Sequence, residues 1–451
     1  MCYESNGSAL VRRLFLENID KRGGNMWSYS ILGADGCIWG IPCQAQHVVR
    51  YDPENHDEGL MYVGPKLHDG IDDEMKWSKG VLGNNGCIYC LPLDPLVHSI
   101  LKINTQDRIV SIVKMSLEAT KEKENFDETW FLFASGVLAD DGCIYYMPAF
   151  GEYILRLDPT NDSLSSVGPS FGNELQFIDT VNIDGIIYGV PASEKSACVK
   201  FYPNEQRVEQ VESDWNNTTF HVHQGGVFAR DNFYYSITSE RYLLKIDVRE
   251  FKVFFLCDVG SFTCSQHTNM TGILGCDGNI YWPLDSNGYL SKYDIYLEEK
   301  SNIFVQPRKQ YNHMWNDKRQ NFFSGACASN GVIYCIPFNE LYILAIDPMH
   351  EFKITLTTGS KNEISKTQTM FKKLFYRSGC CEENSYEYAI RRYSLSRIMD
   401  VVNKVISEED KEILPPFIYA ASFENSSLDV IYLLVKRDLS SFKTCEDNRR
   451  S

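Results

Sequence analysis

One phrase recurs seven times along the chain: an apolar strand, a turn closed by glycine, then Ile-Tyr and a proline. Its first copy reads Gly36-Cys37-Ile38-Trp39-Gly40-Ile41-Pro42. It returns at 86–92, 142–148, 185–191, 278–283 and 331–337, with a degraded copy at Asn232-Phe233-Tyr234-Tyr235. The copies lie 43–56 residues apart, the period of a four-stranded propeller blade rather than of a helical solenoid. Blade 2 shows the pattern plainly. Strands are expected at 78–82, 87–91, 99–103 and 108–113, with Asn84-Asn85-Gly86 as the first hairpin turn, because Asn and Gly accept positive φ. A ring of such units leaves no long exposed sheet edge. The fold expected is therefore mainly β: a seven-bladed propeller over residues 27–359, with blade 7 supplying its own outer strand at 352–358.

Outside the repeat the texture changes. Residues 1–26 suit either a short helix from Leu10 to Ile19 or an extra strand. Residues 360–384 read as a linker with a short helix. Over 385–451 the apolar spacing turns helical, with Ile390, Tyr393, Ile398, Val401 and Val405 on one face. A small α-helical C-terminal domain is expected there.

Charge and cysteine usage narrow the function. The chain of 451 residues carries a net charge of −16, which opposes a general nucleic-acid role, since that needs a basic face. No apolar run is long enough to span a bilayer, and residues 1–20 lack the apolar centre of a signal peptide. Fifteen cysteines, an odd number spread along the chain, suggest a reduced, cytoplasmic protein, expected as a monomer. Cys37, Cys87 and Cys143 repeat one blade position and read as small core residues. Cys87 and Cys90 are three apart on a strand, so they face opposite ways and chelate poorly. Tyr89, Tyr145, Tyr188, Tyr235, Tyr281 and Tyr334, with Trp39, also repeat one position and read as packing between blades.

The motif Asp-Gly-x-Ile-Tyr/Trp-x-x-Pro, followed by a strand ending in Ile-Asp or Leu-Asp-Pro, resembles seven-bladed propeller repeats. In texture it is similar to the streptogramin (virginiamycin) B lyase group and to the regucalcin/gluconolactonase propellers. That resemblance covers roughly three-quarters of the chain and implies the fold far more than an activity. The lyase group implies a His/Glu site with a divalent metal, but no motif here matches it residue by residue. In the tail, Pro416-Phe417-Ile418-Tyr419-Ala420-Ala421 followed by Ser427-Leu428-Asp429-Val430 resembles one ankyrin-type helix pair. A single copy has to pack on a neighbour.

Candidate site residues follow from comparing blades. Counting back from the turn glycines gives a reference position: Gly80, Gly136, Gly226, Gly272 and Gly325, with Ser30 and Asp179 in the divergent blades. Three residues earlier stand Trp27, Trp77, Phe133, Gln176, His223, Asn269 and Phe322. Of these, Trp27, Trp77, Phe133, Gln176, Asn269 and Phe322 are candidate ligand-binding residues at the channel mouth. Five residues earlier, blades 4 to 6 carry Glu174, His221 and His267. Glu174, His221, His223 and His267 are types that bind Zn²⁺ or Mg²⁺, or run acid–base catalysis. They equally suit a solvated channel mouth. Acids after the second strand, among them Glu152 and Glu340, read as ordinary loops of an acidic protein.

No phosphate loop, dinucleotide fingerprint or complete catalytic motif is present. The leading expectation is a non-enzymatic scaffold without a cofactor, whose propeller face holds a protein partner or small ligand. The alternative is a metal-assisted lyase or hydrolase using the Glu/His set.

Overall fold

The computed structural model describes residues 3–4, 11–15, 26–67, 76–92, 99–115, 133–172, 176–193, 196–211, 226–229, 231–238, 242–258, 271–283, 289–295, 298–305, 322–338 and 340–348. Each repeat forms an antiparallel meander, and seven such blades make a propeller. The inner strands are Trp27–Leu32, Trp77–Leu82, Phe133–Leu138, Phe177–Ile183, Val227–Phe228, Ile273–Leu274 and Ala326–Cys327. Ala326–Cys327 of blade 7 lies against Trp27–Leu32 of blade 1, so the ring closes. No helix among the described residues is long and apolar enough to cross a membrane. The linker expected at 360–384 and the helical, ankyrin-like region at 385–451 lie outside the described residues.

The second strand of each blade explains the repeated phrase. Ile38–Pro42 and Cys87–Pro92 bury every residue, because blades cover both their faces. The matched aromatics point between blades: Trp39 packs with blade 2, Tyr89 with blade 3, and Tyr334 with blade 1. Cys87 and Cys90 fall in different clusters on opposite sides of blade 2, as their spacing requires.

A polar device sits on this apolar frame. In six blades an Asp or Asn opens the first turn and accepts the backbone N–H two residues on. It also bonds the aromatic four residues on. Asp141 accepts from Cys143 N and from Tyr145 Oη at 2.7 Å; Asp231 with Tyr235 and Asp277 with Tyr281 repeat this. Such an Asx turn fixes the hairpin and satisfies a buried phenol together. On the third strand the residue paired with the aromatic is basic: Arg50, Lys102, Arg156, Lys200, Lys245 and Lys292. The ammonium of Lys102 lies 5.5 Å from the centre of the Tyr89 ring, a cation–π contact.

Blade 7 departs from the expected outer strand. Residues Val11–Phe15 take that place, pairing antiparallel with Tyr342–Ile346 from Val11↔Ile346 to Phe15↔Tyr342. Tyr3–Glu4 adds a fifth strand beyond them. The segment 352–358 lies outside the described residues, and the edge assigned to it is occupied. The physical reason is closure: a strand from the start of the chain hydrogen-bonds the last blade to the first, with Leu14 buried in the cluster they share. Arg12 pairs with Ala345, which in turn pairs with Tyr334. The N-terminal strand thus supplies the cation that the third strand supplies in every other blade.

Candidate functional site

The inner strands surround a central cavity of about 860 Å³. Strand pairing fixes which residues are equivalent around it. Gly80 pairs with Cys90 and Gly136 with Tyr146, each one residue after the matched tyrosine. In blade 4 the residue that pairs with the corresponding Gly189 is Thr180, not Asp179. The count from the turn glycine misses by one because this hairpin is short. Five residues separate Leu82 from its partner Ile88, but only four separate Asn182 from Ile187. Blade 4 alone has the tight two-residue turn Asp184-Gly185, with Asp184 at φ 54°, and lacks the Asx–tyrosine bond.

This register places Asp179 in a polar layer with Tyr29, Lys79, Ser135, Thr271 and Ser324, one residue before the glycines. Asp179 is the hub of a cluster drawn from four blades. Its Oδ2 accepts from Lys79 Nζ at 3.1 Å and from Tyr234 Oη at 2.7 Å. Its Oδ1 accepts from Thr180 N at 2.9 Å and from Ser135 Oγ in a short bond. Thr180 also ties back to blade 3, donating from Oγ1 to the Ser135 carbonyl at 2.8 Å. Burial, and then the Asp179 charge, push the Tyr29 and Tyr234 phenols far above their ordinary range, so both stay protonated donors. The carboxylate is only 12% exposed, and it accepts four hydrogen bonds, which fills its lone-pair sites. With no lone pair to spare, it is a poor general base; it orders the groups around it.

Tyr234 was open to detection in the sequence. Every other blade has isoleucine at that position: Ile38, Ile88, Ile144, Ile187, Ile280 and Ile333. The one tyrosine crosses to Asp179 through space left by Gly226, where a Cβ would meet the Tyr235 carbonyl.

Four of the expected ligand-binding residues are packed in the interior rather than on the cavity wall. Trp27, Trp77, Phe133 and Phe322 are buried, and the indoles donate to the His47 and Ser99 carbonyls at 2.9 and 3.0 Å. None lines the central cavity. With the one-residue correction their blade 4 equivalent is Phe177, also buried, which pairs with Pro191 as Trp77 pairs with Pro92. Gln176 instead braces a loop, accepting from Ala197 N through Oε1 at 3.2 Å. Glu174, His221, His223, His267 and Asn269 lie outside the described residues. Among the described residues no group of three or more His, Cys, Asp or Glu can hold a metal ion.

No family model matches this chain, and no curated protein matches its sequence. Solved structures match its shape. Selenomethionine-substituted virginiamycin B lyase from Staphylococcus aureus is similar over 75% of this chain and 98% of its own, with a TM-score of 0.52 and 10% identity. A catalytically inactive variant of that lyase holding quinupristin gives the same values: TM-score 0.52, 10% identity, and 75% and 98% coverage. At this identity the likeness is one of fold.

Proposed function

We propose that this chain is a non-enzymatic binding propeller that receives a small ligand in its central channel. The observation that carries this reading is the fully engaged Asp179 carboxylate beside a cavity of about 860 Å³, within the size range of ligand pockets. A site built for proton transfer needs a free base; a site built to bind needs ordered donors and apolar walls. Among the described residues the channel has the second set.

The test uses N-phenyl-1-naphthylamine, an uncharged fluorescent reporter of apolar cavities. One reporter is expected to bind per chain. Ala326→Phe or Val227→Phe, which fill the channel from two sides, should each weaken binding at least tenfold with the melting temperature kept. Binding that survives both fillings rules the channel out. Stoichiometric zinc in the purified chain, lost in a His221→Ala/His267→Ala double variant, would favour the metal-assisted reading instead.

A further inference from the structure

The channel is layered along its axis. Every inner strand enters from the same side and ends in the first hairpin turn, so equal positions form rings about 3.3 Å apart. Among the described residues the ring of Tyr29, Lys79, Ser135, Asp179, Thr271 and Ser324 is polar, and Tyr29, Asp179 and Thr271 of it line the cavity. Next comes a ring of small residues, mostly glycine. One step further, Val81, Val137, Val181 and Val227 stand with Ile31 and Ile273, all β-branched, and all line the cavity. The ring after that is again largely apolar, with Leu32, Leu82, Leu138, Phe228 and Leu274. The cavity therefore has an apolar barrel and a polar floor.

The floor is selective in charge. Lys79 and Asp179 pair at 3.1 Å, so together they carry no net charge. Asp179 has no acceptor capacity left for a cationic head. An anionic head would sit against that carboxylate, inside a chain of net charge −16. One donor remains. Lys79 Nζ is engaged with Asp179 and does not itself line the cavity. Tyr29 lines the cavity, and no described group bonds its hydroxyl.

Resting on the channel-binding reading, we infer that the ligand is an uncharged amphiphile: an aliphatic body in the Val/Ile barrel and a hydroxyl or carbonyl head accepting from the Tyr29 hydroxyl. The experiment is displacement of N-phenyl-1-naphthylamine at pH 7.5 by 1-decanol, decanoate and decylamine. Decanol should bind at least tenfold more tightly than either charged probe. From 1-octanol to 1-decanol the affinity should rise about fourfold per methylene. Tyr29→Phe, which removes only the hydroxyl, should weaken decanol severalfold while leaving reporter binding intact. Decanoate or decylamine binding as tightly as decanol overturns the inference. So does a reporter that binds but that no alcohol displaces; that result leaves the channel reading standing. Failure of the reporter itself overturns both.

Discussion

Asp179 is a single side chain whose loss reaches four blades. Asp179→Ala leaves Lys79 and Tyr234 facing an apolar gap, and should lower stability by about 2–4 kcal/mol, read from urea unfolding. Arg207→Ala removes ion pairs to Glu205 and Glu209 that lie at the surface, and should leave the urea midpoint nearly unchanged. Equal losses in the two variants would contradict the structural weight given to Asp179. A second residue makes a pH claim. Burial pushes the Glu340 carboxyl up to about 7, against the opposing charge of Arg13. The raised value means the folded chain keeps a proton that the unfolded chain has released. Stability is full below the ordinary glutamate value of 4.5 and falls as pH rises to about 7, with little change above. The loss is roughly 2–3 kcal/mol. Glu340→Gln should remove it, so the variant gains on the parent at pH 8 but not at pH 4; parallel pH curves would refute the claim. These residues differ in how far the sequence exposed them. The tyrosine ladder was legible because it repeats. Asp179 was placed one step off, because a one-residue change in a hairpin moves every side chain before it to the opposite face. Tyr234 stood in plain view as the one break in a column of isoleucines.

Among the elements, Val11–Phe15 has the largest consequence. Its sequence, Val-Arg-Arg-Leu-Phe, shows no clean alternation, so local pattern alone could not separate helix from strand. The deciding partner, Tyr342–Ile346, is more than 300 residues away. Nothing local in the chain announces such a pairing, whereas the hairpins within blades announce themselves through their turn residues. Deleting residues 1–20 should strip the outer strand from blade 7, uncover Leu344 and Ile346, and lower the melting temperature by more than 10 °C or cause aggregation. A synthetic peptide of residues 1–20 added back should restore part of the loss. A deletion that melts like the parent would show that the seam does not hold the ring. Arg12→Ala is milder, since it removes only the cation beside Tyr334 and keeps the strand.

At the scale of the molecule, charge and closure set behaviour. A net charge of −16 and an isoelectric point near 5.1 keep the chain dispersed at neutral pH. Light scattering across pH 4–8 should find the solubility minimum close to that point; a minimum elsewhere would mean that masked or paired charges dominate. Seven blades were legible because a propeller repeats its chemistry at every turn. The site was not, because it consists of departures from the repeat, each small and each in a different blade. The seam has a mechanical consequence too. Val11 and Ile346 face each other at one end of the closing pair, and the chain runs on from both at that same end. Tension applied through residues 11 and 346 would peel the two strands apart one hydrogen bond at a time, as a zipper opens, rather than load all the bonds together in shear. The ring is thus closed by a clasp whose hydrogen bonds load one after another when its own two ends are pulled.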